Sequence, residues 1–221
     1  MGETQILRKI PAQLDEIVLA RELPGIFEKT IFSPRRLVSR SVFIKAMHPK
    51  TELKATRPSI EKILKMGWVG QTKIHGHRAQ IHLSPKEKPI AYNRQGRVHK
   101  KLLPQEIVTE LMRIINPKTD WTVIDAEWLK PENKLFIFDI LKKDGKSLSR
   151  TTYGERWNLL PRAYLSPYIQ TLPILRTVEK CMEVLEKEDE HIEGLVFKSM
   201  TTKGFSDTGI VRCRKHRQGA L

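Results

Sequence analysis

The residues best suited to chemistry lie in segment 71–82, QTKIHGHRAQIH, where Lys73 is followed two positions later by His75 and then by Gly76. On a strand, side chains alternate between faces, so this spacing puts Lys73 and His75 on the same side. Gly76 then lets a ligand approach the backbone closely. A lysine amine attacks an electrophile only when neutral, which requires nearby cations or partial desolvation. Cations are abundant: 40 Lys+Arg oppose 25 Asp+Glu, a formal net charge of +15. A lone lysine-x-x-glycine tetrapeptide is a weak signal, since most strand lysines are exposed and inert, so the chemistry depends on what else the chain brings to it.

The elements that must hold this lysine follow from periodicity. Residues 67–83 alternate as strand, and 89–98, 121–129, 134–141, 194–200 and 209–215 are further β-rich runs. Helices are expected at 59–66, with Pro58 and Ser59 at its start, and at 154–165. Two more are expected where Ile107, Val108, Leu111, Met112 and Ile115, and then Val178, Cys181, Met182 and Leu185, each share a helical face. Short turns at Gln95-Gly96 and Asp144-Gly145 favour antiparallel sheets packed with helices, an α+β fold. Residues 1–55 read as a basic N-terminal extension, partly helical over 12–22, and 56–221 as the main domain.

Composition narrows the classes. Hydrophobic residues at 39% and charged residues at 29% are those of a globular protein. No apolar run is long enough to cross a membrane, and MGETQILRKI lacks the apolar core of a signal peptide. Cys181 and Cys213 form no CxxC and are expected to be reduced, which excludes a disulfide framework and a zinc ribbon. A soluble, intracellular monomer is expected, cytoplasmic or in the nucleoid or nucleus, with a viral source left open. The positive charge is clumped: Arg35, Arg36, Arg40, Lys45, Lys50, Lys54 and Arg57 face one acid, Glu52, and six more cations from Lys198 onward face only Asp207. Such runs suit a phosphate-rich partner, nucleic acid first, although a charge surplus that serves only solubility produces the same count.

Lys73-Ile74-His75-Gly76 followed by His77-Arg78-Ala79-Gln80-Ile81-His82 resembles the first motif of the covalent nucleotidyltransferases, the superfamily of ATP-dependent DNA ligases, RNA ligases and mRNA capping enzymes. The stretch GxRAQIH is more like DNA ligases; the histidine before the glycine is more like the second class of phage RNA ligases. Further motifs follow in the family's order. Asn93-Arg94-Gln95-Gly96 resembles the turn whose arginine, here Arg94, grips a terminal phosphate, and Ile124-Asp125-Ala126-Glu127-Trp128 the strand whose glutamate, here Glu127, bonds the ribose. Leu135-Phe136-Ile137-Phe138-Asp139 resembles the segment whose ring, here Phe138, stacks on adenine. Glu193-Gly194-Leu195-Val196-Phe197-Lys198 resembles the metal-associated motif, with Glu193 in the acidic position, and Ile210-Val211-Arg212-Cys213-Arg214 the last nucleotide-binding strand. Singly, each has a plainer alternative: Phe138 as core, Glu127 as an exposed strand residue, Glu193 as a helix-terminal charge, Arg94 as a turn residue. Their common order carries the resemblance.

The resemblance implies a ligase-type nucleotidyltransferase fold, ATP-grasp-like, in which Lys73 becomes lysyl-AMP with Mg²⁺ or Mn²⁺ held by Glu193. Arg78, Arg94, Glu127, Phe138, Arg212, Arg214 and His75 would bind the nucleotide, the two arginines of the last strand neutralising the α-phosphate. They stand where the family carries lysines, keeping the charge but changing the geometry. The implied activity is sealing of 5′-phosphate and 3′-hydroxyl ends or nicks, with DNA slightly favoured over RNA. A capping guanylyltransferase and a non-catalytic nucleic-acid-binding module are the alternatives. Seven residues follow Arg214, so the OB-fold that family members carry there is expected to be replaced, by the basic extension or by a protein partner.

Overall fold

The computed structural model describes residues 41–215. The expected helix at 12–22 lies outside them. In chain order the elements are β1 (Thr51–Glu52), α1 (Arg57–Lys65), β2 (Trp68–Ile74), β3 (His77–Leu83), β4 (Ile90–Tyr92), α2 (Gln105–Ile115), β5 (Thr122–Leu129), β6 (Lys134–Lys143), β7 (Lys146–Ser147), α3 (Tyr153–Trp157), β8 (Ile169–Thr171), α4 (Val178–Glu186), β9 (Ile192–Ser199) and β10 (Ile210–Arg214).

They build two sheets. One runs β1-β10-β9-β2; the other runs β4-β3-β5-β6-β7, with β8 also on β6. Most pairs are antiparallel, as expected of an α+β fold, and β1 on β10 and β8 on β6 are parallel. The run 67–83 is therefore two strands: the chain leaves the first sheet at Ile74, passes through His75 and Gly76, and enters the second at His77.

Each sheet has its own core. Ala79, Ile81 and Leu83 of β3 and Ile124, Ala126 and Trp128 of β5 pack against Ile107, Leu111 and Ile115, the apolar face of α2. Leu195, Phe197 and Cys213 pack against Ile60 and Ile63 of α1 and Cys181 of α4. Both cysteines are free, and burial pushes each thiol up to about 11, so they behave as small apolar groups.

Two expectations need correction. The helix at 154–165 is only α3. A capping box of Thr152 and Glu155 starts it, and it stops before Pro161, whose ring and missing N–H cannot continue a helix. The strand at 89–98 is the three residues of β4, followed by a tight turn and a single bridge from Tyr92 to Val98, because the Asn93 side chain ties the amides of Gln95 and Arg97 into the turn. Among the described residues no helix is long and apolar enough to cross a membrane.

Candidate active site

A cavity of about 730 Å³ is bounded by β2, β9 and β10 of one sheet and by β3, β5 and β6 of the other. Lys73 enters it from β2, opposite Gly194 in register. Its Nζ donates to Glu193 Oε2, and the His75 ring nitrogen Nδ1 meets Glu193 Oε1 at 2.7 Å. Lys73 lies on β2 and His75 just past its end, outside the strand whose alternation the spacing assumed, yet both engage one carboxylate. Burial pushes the Glu193 carboxyl up, but bonds from Lys73 and His75 outweigh it and leave the group below its ordinary range.

What approaches Gly76 is protein. A Cβ there would stand 3.0 Å from both Glu127 Cγ and the Trp128 carbonyl oxygen, so the glycine lets β5 close up and bring Glu127 beside Lys73. Burial drives the Glu127 carboxyl up to about 7, against the opposing charges of Lys73 and Arg78. Arg78 lies opposite Glu127 across the strand pair, with its guanidinium forked onto Asp125: Nε reaches Oδ1 at 3.0 Å and the second nitrogen grips Oδ2. A third bond, 2.8 Å to the Met47 carbonyl, belongs to a series. Gln80 accepts from the Ile44 amide at 2.8 Å and donates to the Ile44 carbonyl at 2.7 Å, and His82 pairs with Ser41. Three side chains two apart on β3 thereby pin residues 41–47 as an irregular strap. Burial pushes His82 down to about 4, so it is neutral at physiological pH.

Phe138 stands in the cavity wall between two cations: Arg78 Cζ lies 5.8 Å and Lys198 Nζ 4.7 Å from its ring centre. Lys198 is buried, donates to the Phe138 carbonyl at 3.2 Å, and is driven down to about 8 by burial. The next residue of β6, Asp139, receives a two-point ion pair from the fully buried Arg156 of α3, at 2.9 and 3.1 Å, which fixes the strand behind Phe138.

Seven of the nine residues singled out in the sequence line the cavity: Lys73, Arg78, Arg94, Glu127, Phe138, Glu193 and Arg212. His75 contributes through Glu193, and Arg214 lies outside. Glu52 of β1 takes two 2.7 Å bonds from Arg214 and one of 3.3 Å from Arg212, so the acid that interrupts the first basic run neutralises the end of the second. Arg94, at the turn after β4, meets the His48 ring. Among the lining residues not foreseen, two stand close to the reactive lysine and its aromatic wall, Lys198 and Gln71. Lys198 was legible as a cation at the inward phase of β9, since Val196 and Lys198 face the cavity while Leu195 and Phe197 face the core. Gln71 shares the Lys73 face of β2; its amide nitrogen donates to the Leu172 carbonyl at 3.1 Å and its buried Oε1 has no partner.

A primary amine flanked by two carboxylates, ringed by cations and facing an aromatic wall, in a volume suited to a nucleotide, is equipped for attack on a phosphate. Among the described residues no three His, Cys, Asp or Glu form a metal cage. Residues 66–215 match the model of the family described as RNA ligase. No curated protein matches the chain. Among solved structures, the chain is similar to a mycobacterial DNA ligase D complexed with ATP and MES (17% identity over 76% of this chain and 58% of that one, TM-score 0.48). It is also similar to a protein titled Pmar-Lig_PreS3 (17% identity, 74% of this chain, 46% of that one, TM-score 0.51) and to a Naegleria gruberi RNA ligase mutant with AMP and Mn (16%, 80%, 60%, TM-score 0.44). The chain spans about half the length of the first two of these structures. The second shares its fold.

Proposed function

The chain belongs to the RNA ligase family, and from that premise we propose that it is an ATP-dependent polynucleotide ligase acting through Lys73. The observation that carries this is the placement of Lys73 Nζ in one cavity with Glu127, Phe138 and Glu193. The neutral amine attacks the α-phosphorus of ATP; an N–P bond forms, the bond to the bridging oxygen breaks and pyrophosphate leaves. AMP then passes to a 5′-phosphate, and a 3′-hydroxyl displaces it to form the phosphodiester. Glu193 Oε2 accepts a bond from the Lys73 amine and orients it, while the proton the amine must lose passes to water. Phe138 offers its face to the base, and Glu127 a ribose contact. Arg94 and Arg212 provide phosphate contacts at the cavity wall.

Glu193, with Glu127 nearby, would hold the divalent ion, Mg²⁺ or Mn²⁺. Such an ion binds through one or two carboxylates plus substrate phosphates, which suits a site without a three-residue cage. When bound it supplies charge neutralisation on the phosphate oxygens.

ATP is favoured over GTP because GxRAQIH resembles the ligases rather than the capping enzymes, and the chain matches the RNA ligase family. For the strand, GxRAQIH resembles DNA ligases but its Arg78, Gln80 and His82 hold the strap, while KIHG and the family description favour RNA, the strand we propose as preferred. Incubation with α-labelled ATP or GTP and a divalent ion tests the reading. Label from ATP that survives denaturation and vanishes in Lys73→Ala is expected; label from GTP would indicate a capping enzyme, and none from either a binding module. Sealing of nicked RNA, DNA and hybrid duplexes then reports the strand, with RNA expected to seal fastest.

A further inference from the structure

A second cavity of about 480 Å³ adjoins the first, and His48, Arg78, Asn93 and Arg94 belong to both walls. The strap and the turn at 205–207 form its other sides. The contact between Arg94 and His48 marks the junction of the two cavities.

The lining selects for a nucleotide unit. Lys45 is exposed and has no ion-pair partner among the described residues. Lys50 pairs with Asp207 at 2.8 Å, and that carboxylate, the one acid of this lining, also accepts the His48 amide at 3.0 Å. With Arg94 and Arg78, four cations line the cavity against this one acid; Lys50 is paired with it and Arg78 with Asp125, which leaves Lys45 and Arg94 without an acidic partner among the described residues and favours an anion. Phe43 supplies a flat apolar wall. It packs over Gly96, where a Cβ would come within 2.8 Å of the ring, and lies 5.9 Å from the Tyr92 ring, so its orientation is fixed before any ligand arrives. An anchored ring beside unpaired cations suits a base joined to a phosphate.

We propose that this second cavity binds the first nucleotide of the strand whose 5′-phosphate is activated, with the phosphate at the Arg94 junction, the base against Phe43 and the next phosphate at Lys45. The assignment rests on the ligase reading above. It makes the strap part of the substrate site and explains why Arg78, Gln80 and His82, alternate residues on one face of β3, are used to hold it.

The test is fluorescence anisotropy with the full chain and two labelled single-stranded oligonucleotides that differ only in a 5′-phosphate or 5′-hydroxyl. The phosphorylated strand is expected to bind more tightly, and Lys45→Ala and Phe43→Leu each to weaken it by about tenfold, the scale of one good contact, with a smaller effect on the hydroxyl strand. Lys45→Ala removes only an exposed side chain and guards against a folding artefact at Phe43. Equal affinity for the two strands, variants that bind like the parent, or equal losses for both strands would each overturn the assignment. Labelling of the unaltered chain by ATP is read in parallel; its failure would remove the ligase reading while the two-strand comparison still reports on the cavity.

Discussion

At the scale of single residues, little in the sequence distinguishes a reactive side chain from an inert one. Lys73 was legible from the K-x-x-G segment on a strand, whereas His75 meets Glu193 from beyond the end of β2, where strand alternation no longer applies. Gln71 stands on the Lys73 side of β2, but its tie to the Leu172 carbonyl is a pairing no sequence pattern displays. Glu127 was placed by motif order, whereas its protonation follows from burial. Its folded pKa, about 7, lies above its unfolded value. The folded state therefore binds more protons than the unfolded one between these values, and this group's contribution to stability falls as pH rises through that window. Glu127→Gln, which removes the ionisation, is expected to raise the melting temperature relative to the parent by several degrees at pH 8 and by less at pH 5. Thermal denaturation at the two pH values measures this, and equal shifts would contradict it.

At the scale of elements, positions come from pairings remote in sequence. Asp139 and Arg156 are each unremarkable in the chain, yet their buried pair fixes β6 to α3 and so fixes Phe138. Removing one partner leaves a buried charge uncompensated; Arg156→Ala is expected to destabilise the fold by about 3–5 kcal/mol, read by denaturant unfolding, and a loss below about 1 kcal/mol would mean that the pair does not anchor the strand. The helices α2 and α4 were legible because their apolar faces are long and regular. The expected helix at 154–165 failed at Pro161, and β1 and β8 escaped notice because strands of two or three residues carry no period. Residues 41–50 have no regular structure, so only three-dimensional pairing with Arg78, Gln80 and His82 shows that they form part of the site.

For the whole molecule, charge was the most legible property and the least specific. The net +15 pointed to a polyanion, but the structure shows part of it committed internally: Glu52 engages Arg212 and Arg214, and Asp207 engages Lys50. Cations in residues 1–40, Arg35, Arg36 and Arg40 among them, add to the charge available for phosphates. Removing residues 1–40 spares the strap and is expected to weaken nucleic-acid binding and flatten its dependence on salt, since fewer counterions are released. An unchanged affinity and salt slope at low ionic strength would place the binding surface entirely within residues 41–221.

The most direct measurement is peptide mass mapping of the chain after incubation with ATP and a divalent ion, under conditions that preserve phosphoramidates. An adenylyl group on the peptide that carries Lys73, bonded through Nζ and absent without ATP, is the predicted result. Adenylylation confined to another residue, such as the buried Lys198 in the same cavity, or none on any peptide, would contradict the account.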